Sequence, residues 1–182
     1  MPVPSYKAVL KRYDASPAHI QKYFEHLPRL IREFDWDVCI AYQFIRLETA
    51  QNRALYGGVV KMHRANSEVS SSVLRSLHLT RASFLTHVET IFEKPVPADV
   101  ANKIKFAEKI RDNTVHGKES LDPDVRQALV DTIEYAIGLD DFVYSVANFR
   151  PFGDMRGFRG AGESLEKATT RWLLKGLGLQ GG

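Results

Sequence analysis

The 182-residue sequence contains one cysteine, Cys39, so a disulfide framework within the chain is excluded and a reducing, cytoplasmic setting is expected. One thiol also leaves too few soft ligands for a structural zinc site. His19, His26, His63, His78 and His87 form no pair four apart on a helix, so no metal is expected. No apolar run approaches the ~18 residues of a membrane span, which removes a membrane from the expected partners. The opening "MPVPSYKAVLKRYD" lacks the unbroken apolar core of a secretory leader. There is no repeat at a period of 20–50 residues and no low-complexity tract. Sustained two-residue alternation is missing as well, which argues against a sheet. No G-x-S-x-G elbow marks a serine hydrolase, and no G-x4-GK[ST] marks a P-loop.

The composition is that of a globular protein, 44% hydrophobic and 26% charged, and the length suits a single domain over residues 1–182. The net charge is only +3. From Ala147 onward there are six basic side chains (Arg150, Arg156, Arg159, Lys167, Arg171, Lys175) against three acidic ones (Asp154, Glu163, Glu166), so this segment holds the whole excess.

The hydrophobic pattern predicts helices throughout. "SPAHIQKYFEHL" starts with Ser16 as N-cap and Pro17 at the first turn, and Pro28 then breaks or kinks the pattern. A helix capped by Asp35 or Asp37 runs to Gly57-Gly58, with "VVKMHRA" as a short continuation. Val69, Val73, Leu77, Phe84, Val88 and Ile91 form one stripe, predicting a long helix from about residue 67 to 94. "SEVSSSV" at its start reads as small residues that allow close packing. After "KPVPADV" a helix runs from about residue 97 or 99 to 116, with Gly117 as a left-handed cap. The next is capped by Asp122, with Pro123 in its first turn and a bend expected near Gly138. "RPFGDMRGFRGAG" is a loop, and "ESLEKATTRWLLKGLGL" a closing helix. The expected fold is all-α, a bundle of about five or six helices, with a core at about 16–145 and an added loop and helix at about 150–182.

Two helices carry polar residues where apolar ones are expected. With Ile104 set at zero and about 100° per residue, the apolar arc of "ADVANKIKFAEKIRDNTVH" runs from roughly 200° round to 20° through Phe106, Ala107, Ile110, Thr114 and Val115. Arg111 falls near 340°, inside it, while Asp112 and His116 fall near 80° and 120°, at its margin and four residues apart. A buried cation requires an anion, a subunit boundary or a ligand. On the helix after Asp37, the apolar face is drawn through Ile40, Ala41, Tyr42, Phe44, Ile45, Leu47, Leu55 and Tyr56, and it brackets Glu48 and Asn52. The direct reconciliation is that Glu48 meets Arg111, with Glu48 and Asn52 as supporting buried polar groups. A structural reading stands beside it: Arg111 as a snorkelling cation or plain ion pair, His116 as a favourable charge at a helix C-terminus, Glu48 and Asn52 as a buried hydrogen bond.

Arg111-Asp112-x-x-x-His116, followed by Gly117 at the end of a helix in an all-α chain, resembles the signature of HEPN domains, a family named for nucleotide binding in higher eukaryotes and prokaryotes. The resemblance implies a homodimer in which two Arg–His motifs face one composite cleft. It further implies metal-independent RNA cleavage without a cofactor, in toxin–antitoxin or other defence systems, with an antitoxin or nucleotidyltransferase as partner. It also allows a non-catalytic module that binds a nucleotide, an RNA or a partner protein.

The residue types suit that chemistry. An imidazole, with an ordinary pKa near ~6.5, exchanges a proton at neutral pH, and His116 is the candidate acid or base. Asp112 would orient it, and the Arg111 fork would hold non-bridging phosphate oxygens as their charge grows. Asn113 and Lys118 are the nearest further donors. In the glycine-rich loop, Arg156 and Arg159 are candidate phosphate contacts, with Phe152 and Phe158 as base-stacking surfaces or loop anchors.

Overall fold

A computed structural model describes residues 3–77, 79–160 and 162–179, and among these there are nine helices and no strand. The chain forms two compact units, Met1–Glu48 with Pro97–Asp141, and Thr49–Val96 with Phe142–Gly182. Two long helices, α4 (Trp36–Met62) and α8 (Asp122–Ala147), contribute to both.

The first unit begins with α1 (Tyr6–Asp14), capped by Ser5 and absent from the sequence-based expectation. Next come α2 (Ala18–Tyr23) and α3 (Leu27–Glu33), where Pro28 sits in the first turn and so starts a helix rather than interrupting one. Ser16 does not cap α2: its hydroxyl donates back to the Tyr13 carbonyl, and Pro17 takes the cap position without a side-chain bond. Arg46 on α4 stacks 4.0 Å from the Tyr23 ring centroid and donates to the Tyr23 carbonyl from Nε (3.0 Å) and Nη2 (2.8 Å). Buried Gln43 donates to the Leu129 carbonyl at 3.2 Å. On α7 (Ala98–Val115), Val100 approaches α8 so closely that a Cβ on Gly138 would lie 2.8 Å from its Cγ2. That contact explains a glycine inside a helix.

In the second unit α4 continues past Gly57-Gly58 instead of stopping there. The two glycines are packing positions: a Cβ at Gly57 would be 2.3 Å from the Phe149 ring, and one at Gly58 would be 2.6 Å from Ile91 Cγ2. Alanine in a helix interior gains roughly 1 kcal/mol over glycine, but overpacking a rigid ring costs about 1–3 kcal/mol or more. Gly57→Ala is therefore expected to destabilise the protein by about 1–2 kcal/mol, read as a lower melting temperature. A neutral or higher melting temperature would contradict this packing.

The stripe at residues 67–94 is two helices, α5 (Ser67–Arg75) and α6 (Arg81–Phe92). Thr80 caps α6 in a reciprocal box with Ser83. The last described helix is α9 (Lys167–Gly176), shorter than expected, with Asn66 N–H donating to Thr170 Oγ1 at 2.9 Å.

Cys39 is fully buried, and burial pushes its thiol up to about 11. It is expected to be silent to a thiol reagent at pH 8 in the native state and to react stoichiometrically in denaturant. Fast native labelling would contradict its position.

Candidate functional site

The C-terminal half of α7 places the motif. Ile104, Ala107 and Ile110 are buried, and they fix which way the helix faces. Arg111 lies beside Ile110 at the edge of that buried face, one turn before the helix ends, and its side chain is 34% exposed. Its guanidinium carbon is 5.1 Å from the Phe44 ring centroid, one Nη is 3.5 Å from Glu48 Oε1, and Nε is 3.0 Å from Asp112 Oδ1. The Nε atom is closed to solvent, and its N–H does not point at Asp112, so this contact is ionic without being a hydrogen bond. Thr114 donates to Asp37 Oδ1 at 3.3 Å. Arg111 meeting Glu48 and Thr114 meeting Asp37 make α7 antiparallel to the first turns of α4.

Ile40, Ala41, Phe44, Ile45, Glu48, Arg111, Thr114 and Val115 line one groove of about 170 Å³. Most of its wall is apolar, and Ile45 and Val115 are 64% and 70% exposed. Val115 and Phe106 were expected on the buried arc; both are exposed, because the arc that packs is narrower and holds Val100, Ile104, Ala107 and Ile110.

His116 is the C-cap residue of α7 and is exposed. Gly117 comes next with φ +65, the left-handed turn expected of it. Lys118 N–H closes the turn onto the Asn113 carbonyl at 2.9 Å, and Asn113 Nδ2 donates to Ser120 Oγ at 3.4 Å. The turn therefore presents the exposed side chains of His116 and Lys118 together with Asp112. Asp112 and His116 are not part of the groove lining.

The expected meeting of Glu48 with Arg111 is present, but Glu48 is 59% exposed and is not a buried polar group. Asn52 is half-buried, lies outside the groove lining and belongs to the second unit. The cause is the true buried stripe of α4, which runs through Cys39, Gln43, Leu47, Ala50 and Ala54 and leaves Ala41, Ile45 and Glu48 outside. Phe44, under the guanidinium, is a participant whose signal was its four-residue spacing from Glu48.

Arg156 and Arg159 belong to the second unit. Arg156 is held by Asp154, with Nε 3.0 and 2.9 Å from its two carboxylate oxygens, and this pairing raises its already high pKa further. Phe158 packs at 5.3 Å from Phe149 and 6.2 Å from Tyr56, as a loop anchor does, and Phe152 is buried. Among the described residues no group of three or more His, Cys, Asp or Glu could hold a metal, and His78 lies outside them. No helix among them is long and apolar enough to cross a membrane.

No family model, curated protein or solved structure matches this chain.

Proposed function

We propose that this chain is a HEPN-like helical domain acting as a metal-independent endoribonuclease. In this reading it works in the cytoplasm as a homodimer, in a toxin–antitoxin or other defence system, with an antitoxin or a nucleotidyltransferase as protein partner. The observation that carries the reading is the end of α7. There Arg111 stands at the rim of an exposed apolar groove, and His116 stands five residues on in an open turn.

Cleavage would run through the ribose 2′-OH. As its oxygen bonds to phosphorus, an imidazole takes its proton; as the bond to the 5′-oxygen breaks, a second proton donor neutralises that leaving group. One chain offers one imidazole at this place, and a second copy supplies the other. Arg111 would stabilise the non-bridging oxygens, and the Asp112 carboxylate, 3.0 Å from its Nε and not paired with the His116 ring, would position that fork rather than the imidazole. Asn113 shapes the turn, and Lys118 would meet a flanking phosphate. The product would end in a 2′,3′-cyclic phosphate. Ala41, Ile45 and Val115, exposed beside Arg111, supply an apolar surface for the second copy.

A second reading has its own support. Glu48 and Asp112 occupy the Arg111 guanidinium within one chain, as in a structural ion pair. That favours a non-catalytic module binding a nucleotide, an RNA or a partner protein. Incubating purified protein with total RNA in excess EDTA separates the two. Cleavage supports the nuclease; intact RNA with salt-sensitive binding supports the module.

A further inference from the structure

A second polar site lies in the other unit, where the glycine-rich loop crosses the end of α4. A cleft of about 160 Å³ is lined by Arg64, Ser67, Arg159 and Ser164 on its polar side and by Val60 and Phe158 on its apolar side. No carboxylate lines it.

The cleft is built by specific backbone contacts. Arg64 leaves α4 in the left-handed region, φ 56, and its carbonyl accepts from Leu165 N–H at 2.8 Å. Its Nε donates to the Glu163 carbonyl at 2.8 Å, which fixes the guanidinium across the loop. Gly160 comes so close to α4 that a Cβ would lie 2.8 Å from the Val60 carbonyl oxygen, so only glycine closes this wall. Phe158 is clamped against Phe149 and Tyr56 on its far side.

The two loop arginines then differ. Arg156 is satisfied by Asp154. Arg159 is exposed, lines the cleft and has no hydrogen-bond or ionic partner among the described residues. Glu68, the carboxylate of α5, is engaged by Lys167 at 2.6 Å. One fixed guanidinium, one unengaged guanidinium and two hydroxyls therefore face a small space whose lining holds no carboxylate.

We infer that this cleft binds a phosphoryl group between Arg64 and Arg159, with Ser67 and Ser164 as further donors. Guanidinium forks match tetrahedral oxyanions in geometry and charge. The size limits the ligand. Small-molecule pockets run to ~300–1,000 Å³, so a space of about 160 Å³ holds the phosphoryl group and leaves any attached nucleoside outside. The inference stands apart from the cleavage chemistry, because it uses none of the residues on α7 and keeps only Arg159 of the phosphate contacts expected in the loop.

Titration of the full chain with inorganic phosphate, 5′-AMP and a 5′-hydroxyl oligouridine, monitored by amide NMR at low salt, tests it. Phosphate is expected to shift the amides of residues 158–160 and 162–164 saturably. Arg159→Gln and Arg64→Gln are expected to weaken binding by about tenfold or more. Arg156→Gln removes the same charge from the same loop and is expected to change affinity less than about twofold. Shifts from AMP but not from oligouridine mark a terminal phosphate monoester as the ligand; shifts from oligouridine as well extend it to phosphodiesters. Arg159 is exposed, so its variant is expected to keep the wild-type helical signal and melting temperature. The proposal is overturned if phosphate moves no amide in this loop, or if Arg156→Gln weakens binding as much as Arg159→Gln does.

Discussion

Replacing His116 with alanine is expected to lower RNA cleavage in EDTA by about 10²–10⁴-fold, the usual contribution of a positioned acid or base. Little stability should go with it. The imidazole is exposed in a C-terminal turn, and the turn is closed by backbone bonds from Gly117 and Lys118. Arg111→Ala should cost about 10²–10³, in line with losing one donor to a developing oxyanion. Its structural effect is bounded in the same way, since Glu48 is already 59% exposed beside it. Arg111→Lys keeps the charge and removes the fork, and should recover only part of the loss. Activity that survives His116→Ala would remove the imidazole from the reaction.

The second large effect concerns assembly. Ile45→Asp together with Val115→Asp is expected to shift the protein from a dimer to a single 20.6 kDa chain and to take cleavage with it. Both side chains are mostly in water within one chain, so exposed charges there should change the chain's own stability by less than about 0.5 kcal/mol. Buried at an interface, an unpaired carboxylate costs several kcal/mol, which corresponds to a rise in dissociation constant of about 10² or more. Sedimentation over a range of concentrations reads the change. A wild-type chain that sediments at 20.6 kDa at every concentration would contradict the dimer, and with it the source of the second imidazole.

Physical reasons decide which parts of this site were legible in the sequence. Arg111 was legible because a cation within a predicted apolar arc demands a partner, and Glu48 is there at 3.5 Å. Gly117 was legible because a left-handed residue after a helix strongly favours glycine. The face of α4 was read about a quarter-turn wrong for an equally specific reason. Gln43 and Gln51 are polar by composition but buried, the Gln43 amide N–H donating to the Leu129 carbonyl. Ile45 is apolar by composition but exposed. Counting types therefore rotated the stripe toward Glu48 and Asn52. The glycine pair Gly57-Gly58 looked like a stop, although the ring of Phe149 and the side chains of Ile91 and Phe92 take the space of the missing Cβ atoms. The division of α5 from α6 was hidden because Thr80 pairs with Ser83, not with the glutamate or glutamine that usually marks a capping box. Periodicity continued across the break, since Val69, Val73, Phe84 and Val88 keep their spacing.

The chemistry assigned to the end of α7 has one direct readout. Wild-type protein and the His116→Ala variant are incubated with one defined RNA in excess EDTA, and the new ends are analysed by mass spectrometry. The account predicts 2′,3′-cyclic phosphate ends from the wild type and none above background from the variant. Uncut RNA with the wild type, or matching fragments from both proteins, would contradict it.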